Sequence, residues 1–110
     1  MESFQDLTSY ISRSSLASAV LDREYHIRLA NEQFLAILHE NDASGANFFD
    51  FLAGGEREKV IKLVRDRVNK DTHRYAEINL NNRKVTVNLH VNEIRLDGQD
   101  FFIFTIIDTT

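Results

Sequence analysis

Four histidines, seventeen carboxylates and no cysteine bound the chemistry open to this 110-residue chain. His26, His39, His73 and His90 fall on separate segments and form none of the i,i+3 or i,i+4 pairs through which one helix face grips a metal ion, so no metal site is expected. The missing cysteine excludes disulfides, thiol nucleophiles, cysteine-bound zinc and a cysteine adduct to a chromophore. Serines crowd the stretch from Ser12 to Ser18 without a nucleophile elbow, and Gly54-Gly55 lacks the spacing and the Lys-Ser/Thr ending of a phosphate loop. Glu56 and Glu58 read as helix-surface charge. Arg57 and Arg65 read as part of a solvated face. No catalytic constellation results, and the chain is expected not to be an enzyme.

Composition narrows the classes further. With 43% hydrophobic and 27% charged residues the chain is an ordinary globular sequence, of a size for one domain with one core. Its net charge of −4, with Lys and Arg interleaved among Glu and Asp, offers no positive stripe from which a nucleic acid could release counterions. No apolar run approaches the ~20 residues of a membrane span, and Met1 to Asp6 lack the form of a signal peptide. A cytoplasmic domain, cut from a longer protein and making no membrane contact, is the expectation.

The elements that must position any site follow from periodicity. Ser3 and Asp6 have the spacing of a helix start, and Phe4, Leu7, Tyr10 and Ile11 then form one apolar stripe, which the serines end. Ala19 to Leu21 and Tyr25 to Leu29 read as two short strands about a turn at Asp22 to Glu24, with His26 on the polar parity. Asn31 caps a helix carrying Phe34, Leu35, Ile37 and Leu38 and ending near His39. After a polar loop from Asn41 to Asn47, the dense Phe48, Phe49, Phe51 and Leu52 predict a short buried helix. Beyond Gly54-Gly55, Val60, Ile61, Leu63, Val64 and Val68 mark a longer helix from Glu56 to about Asn69. From Ala76 the period becomes two: Ala76, Ile78 and Leu80, a turn at Asn81-Asn82, then Val85, Val87, Leu89 and Val91, with His90 on the polar side. The apolar parity then slips to Ile94 and Leu96, which predicts a β-bulge near Asn92-Glu93, and Asp97-Gly98 turns the chain into a last strand.

That last strand, "FFIFTIIDTT", is apolar on both parities. Together with "AVLDREYHIRLAN", "GANFFDFL" before the longer helix, the "LDGQ" turn and the terminal Asp108-Thr109-Thr110, it gives the sequence from about Ala17 onward a resemblance to PAS domains. These are small α+β sensory modules with a five-stranded antiparallel sheet, short helices and one longer helix on one face, and often an N-terminal amphipathic helix. Residues 1–16 would be that helix and its linker, and 17–110 the PAS-like domain.

The resemblance implies a regulatory sensor and dimerisation module of a larger bacterial signalling protein, such as a histidine kinase of a two-component system, a cyclic-dinucleotide enzyme or a transcriptional regulator. It places a small-ligand pocket among Phe48, Phe49 and Phe51, with Val60, Ile61, Val64, Val87 and Leu89 as the other wall; Thr86 and Asn88 lie on the opposite parity. The alternative is a ligand-free interaction module with a packed core. The resemblance gives the outer sheet face to Phe4, Leu7, Tyr10 and Ile11 and to Phe102, Phe104 and Ile106 as a homodimer face. Asp108, Thr109 and Thr110 would pass the signal to an effector domain in the same polypeptide. No cofactor is expected: the longer helix carries no histidine for haem, with His73 beyond its end, and the light-sensing flavin branch uses a cysteine that this chain lacks.

Overall fold

The computed structural model describes residues 4–66, 75–80 and 86–108. Among the described residues, three α-helices, one 3₁₀ turn and five strands follow one another: α1 (Phe4–Arg13), β1 (Ala17–Leu21), β2 (Ile27–Ala30), α2 (Glu32–Leu38), the 3₁₀ turn (Phe48–Phe51), α3 (Arg57–Asp66), β3 (Tyr75–Asn79), β4 (Thr86–Leu96) and β5 (Gln99–Asp108). The strands form one antiparallel sheet in the order β2-β1-β5-β4-β3. The last strand therefore sits at its centre. The expected turn at Asn81-Asn82, Ser3, Val68, His73, Val85, Thr109 and Thr110 lie outside the described residues.

Central position explains why β5 is apolar on both parities. Phe102, Phe104 and Ile106 join Ala17, Ala19 and Leu21 of β1 on the inner face, where α2, the 3₁₀ turn and α3 supply Phe34, Phe48, Val60, Leu63 and Val64. Phe101 and Ile103 point the other way and pack with Val20, Leu96 and Ile94 beneath Leu7 and Ile11 of α1. The inner face is covered along the sheet, whereas among the described residues α1 covers the outer face only over β1, β2 and the adjoining parts of β4 and β5, and Ile107 on that face is 40% exposed. This reverses the face assignment of Phe102, Phe104 and Ile106: they belong to the helix-covered core, and the opposite parity carries the outer surface.

The hairpins also differ from the sequence reading in where they are irregular. Pairing between β4 and β5 runs without interruption from Val87↔Asp108 to Leu96↔Gln99, so there is no bulge at Asn92-Glu93. Instead β4 changes the face it buries: Val87, Leu89 and Val91 pack inward, whereas Ile94 and Leu96 pack outward beneath α1. The slipped parity marks a change of cover, with the pleat intact. The register shift occurs instead between β1 and β2, at Val20/Leu21, so Ile27 faces inward but Leu29, two residues on, faces outward. Asp97 (φ 50°) and Gly98 (φ 77°) both take the left-handed conformation that a two-residue hairpin turn between β4 and β5 requires.

Candidate functional site

On the inner face, aromatic rings form an unbroken chain. Phe34 lies 6.1 Å from Phe48, which meets Phe104 edge-on at 5.1 Å; Phe104 neighbours Phe102 at 6.4 Å, and Phe102 stacks with Tyr25 at 5.9 Å. Tyr25 in turn packs on Phe49 at 4.5 Å, and the Arg57 guanidinium sits 4.8 Å above the Phe49 ring. Edge-on and offset contacts of this kind favour the rings' quadrupoles as well as burying area. Phe48 and Phe104 are fully buried. The chain of rings runs from the core to the surface, where Arg57 is exposed.

A strained residue holds the outer end of this aromatic chain in place. Tyr25 has φ of 69°, a conformation bulky residues avoid. The preceding turn imposes it: the Asp22 carboxylate accepts hydrogen bonds from the backbone N–H groups of Glu24 (2.9 Å) and His26 (3.0 Å), and Tyr25 N–H donates to the Asp22 carbonyl (3.0 Å). The Tyr25 carbonyl accepts from Phe48 N–H at 2.8 Å, which ties the turn to the 3₁₀ segment. His26 stands near Asp22 and Glu24, at 3.7 and 3.8 Å, on the exterior.

The inner and outer layers meet at one buried side chain. Asn31 is 4% exposed, and its amide uses four hydrogen bonds. The oxygen accepts from Phe34 N–H (3.0 Å), capping α2, and from Ser18 N–H in β1 (3.1 Å). The nitrogen donates to the Leu16 carbonyl (2.7 Å) and to the Ile11 carbonyl near the C-terminal end of α1 (3.1 Å). One residue thus fixes the start of the inner helix and the end of the outer one. The Ile11 and Leu16 carbonyls also accept from Ser14 N–H and the Ser18 hydroxyl, each at 3.2 Å, so the Asn31 amide adds a second bond to each.

A second buried polar group anchors α3. Glu56, read from the sequence as surface charge, is only 7% exposed. Its carbonyl opens the helix by accepting from the N–H groups of Lys59 and Val60, while its carboxylate accepts from the Asn79 side chain of β3 (3.1 Å) and pairs with the Lys59 ammonium (3.2 Å). A buried carboxylate needs such partners. In the exposed loop before the 3₁₀ turn, hydrogen bonding from Ser44, chiefly its backbone N–H at 2.9 Å, holds the Asp42 carboxyl below the ordinary range.

Of the residues expected to line a pocket, Phe48, Val60, Val64, Val87 and Leu89 are brought together in the inner core, with Phe49 and Phe51 packed against it. Ile61 is not part of this cluster: α3 turns Val60, Leu63 and Val64 inward and leaves Ile61 half-buried at the side. The Asn88 side chain is half-buried, with its oxygen enclosed and unpaired, across the strand pair from the exposed Glu77 and Ile107. On the outer face, Leu7 and Ile11 are buried as expected of the α1 stripe, but Tyr10 is 60% exposed and points away from the sheet. The backbone of Asp108 closes β5 opposite Val87. Among the described residues no three histidines or carboxylates converge on a possible metal position, and no helix is long and apolar enough to cross a membrane.

The sequence marked Asn31 as a helix cap but gave no sign of its bonds to Ile11 and Leu16, because those partners lie 20 and 15 residues away and offer only backbone carbonyls. Glu56 was missed for a similar reason: Asn79, its cross-element partner, is 23 residues distant. Only the i,i+3 spacing to Lys59 was visible.

No family model and no curated protein matches this sequence. Solved structures do match its fold. The PAS domain of an HTR-like protein from Haloarcula marismortui is 22% identical, with a TM-score of 0.68 over 94% of this chain and 89% of that one. The LOV protein of Rhodobacter sphaeroides is 20% identical, with a TM-score of 0.77 over 96% of this chain and 66% of that one. The PAS domain of nitrogen regulation protein NR(II) from Vibrio parahaemolyticus is 11% identical, with a TM-score of 0.70 over 93% of this chain and 96% of that one. The fold is therefore that of the PAS domains, an α+β architecture in which short helices and one longer helix cover one face of a five-stranded antiparallel sheet.

Proposed function

We propose that this chain is a non-catalytic sensory relay of a larger bacterial signalling protein, working as a homodimer and passing a change in packing through β5 to an effector domain in the same polypeptide. The observation that carries the reading is the placement of β5 between two packed layers, with Phe102, Phe104 and Ile106 against the inner helices and Phe101 and Ile103 against α1. Repacking on either face must be accommodated by this strand, because close-packed interiors transmit displacement instead of absorbing it. Asp108, the last residue of β5, and Thr109 and Thr110 after it in the sequence are the proposed output. A neighbour of the same fold is a PAS domain from a two-component sensor histidine kinase, which supports a kinase as one effector class.

The inner layer supports a packed relay over a resident ligand. Phe48, expected to line a pocket, is fully enclosed between the Phe34 and Phe104 rings. No haem or flavin is part of the proposal. Native mass spectrometry and an absorption spectrum of the gently purified chain test this part: a colourless dimer of bare subunit mass is expected, and a co-purifying small molecule would overturn the packed-core reading in favour of a ligand sensor. The relay itself is tested by Asp108→Ala in the full-length protein. Altered effector output is expected, and unchanged output and regulation would sink the role of Asp108.

A further inference from the structure

Residues 45–53 are bonded to both edges of the sheet. At their start they pair with the outside of β2: Gly45 N–H donates to the Ile27 carbonyl (2.7 Å), Ile27 N–H donates to the Ala46 carbonyl (2.8 Å), and His26 stands opposite Asn47 in an antiparallel bridge. At their end they pair with the outside of β3: Leu52 stands opposite Leu80, just past that strand, and Ala53 N–H donates to the Asn79 carbonyl (2.9 Å). Between the two, the 3₁₀ turn crosses the inner face and sinks Phe48 into the core. β2 and β3 are the first and last strands in the sheet, so one short segment joins strands with three others between them.

The lengths do not fit a flat sheet. Strands about 4.8 Å apart would set the two edges about 19 Å from each other, and a segment paired outside both would have to span about 29 Å. The five residue steps from Asn47 to Leu52 reach at most about 18 Å fully extended, and about 10 Å at the 3₁₀ rise of about 2 Å per residue. The sheet must therefore curl around the inner core until its edges approach the two ends of this segment.

We propose that residues 45–53 are a strap that holds the sheet curled, a conformational device in which bonds at its two ends keep both edge strands in place, so that freeing one end loosens the opposite edge. The near end is fastened by Asn47, whose side-chain oxygen accepts from Phe49 N–H (2.9 Å) while its nitrogen donates to the Glu24 carbonyl (3.2 Å). Phe48 N–H adds a bond to the Tyr25 carbonyl (2.8 Å). The far end runs on into Glu56, whose buried carboxylate accepts from the Asn79 side chain and so doubles the backbone bond to the same residue of β3. The strap also occupies part of each edge, where bare backbone groups would invite a foreign strand. It needs neither the proposed relay nor a dimer.

Amide hydrogen exchange read by NMR on the full 110-residue chain tests the coupling, with one variant at each end. Asn47→Ala removes the two side-chain bonds of the near end. Ala53→Pro removes the N–H that bonds the far end to Asn79. Each is expected to speed exchange about 10-fold or more at both edges, at Ile27 in β2 and along β3, while amides in the central pairing of β1 with β5 keep their wild-type rates. An effect confined to the altered end would overturn the strap and leave two independent loop contacts. An equal rise in β1 and β5 would overturn it as well, because that pattern reports lost global stability and no selective release of the edges. Should one variant fail to fold, the other still reads the opposite edge by itself: Ile27 for Ala53→Pro, β3 for Asn47→Ala.

Discussion

On the inner face of the sheet, among the described residues, nineteen buried apolar residues from every strand, α2, α3, the 3₁₀ turn and the segments beside them pack into one cluster; on the outer face α1 brings Leu7 and Ile11 down onto Val20, Leu96 and Phe101. The inner layer is secured by many elements at once, whereas the outer cover is a single ten-residue helix whose buried apolar contacts, among the described residues, come from Leu7 and Ile11, with the Asn31 amide bonded near its end. An isolated helix of this length is marginal in water, so α1 owes its order to docking. The difference separates stability from adjustability: the inner layer fixes the fold, and the outer layer can come away at a cost set by a few contacts.

The largest expected effect is on the inner side. Phe104→Ala removes a fully buried ring in contact with Phe48, Phe102 and Tyr25 and should cost about 3–5 kcal/mol in urea unfolding, enough to threaten folding of a domain this size. A loss under about 1 kcal/mol would mean the aromatic chain is not the structural centre. On the outer side, Leu7→Ala should cost about 1–3 kcal/mol, and adding Ile11→Ala should cost little more, because the first change already frees the helix and the second then has no contact to lose. Additive losses would show that α1 is as integral as the core. The smallest effect is expected at the surface end of the aromatic chain: Arg57→Ala gives up an exposed cation–π contact worth about 0.5–1 kcal/mol by the same measurement.

The comparison also shows which features the sequence made legible. Each element's existence could be read from periodicity and caps, since Asn31, the phenylalanines at the 3₁₀ turn and the Asp97-Gly98 turn are local signals. The faces could not be read so directly. Leu29 continues a regular alternation with Ile27 yet lies on the opposite side of the sheet, because β2 carries an extra residue, Arg28, opposite the single step from Val20 to Leu21, and only the pairing with β1 reveals it. Ile94 and Leu96 break their alternation although the strand is regular, because the cover above them changes. Alternation reports which side is buried only while a single layer does the burying. β5, packed on both sides, carries no alternation at all, and its parity was assigned to the wrong faces for that reason. The buried hydrogen bonds of Asn31 and Glu56 were illegible because long-range partners leave no local spacing.

Amide hydrogen exchange on Asn31→Asp tests the account most directly. Aspartate keeps the oxygen that caps α2 and receives Ser18 N–H but loses the two donors that hold Ile11 and Leu16. Exchange in α1 should then rise by about an order of magnitude or more while α2 and the β4–β5 hairpin stay protected, as expected of an outer cover tied by one amide to a separate inner core. Equal loss of protection in α1 and in the sheet, or no change in α1, would contradict it.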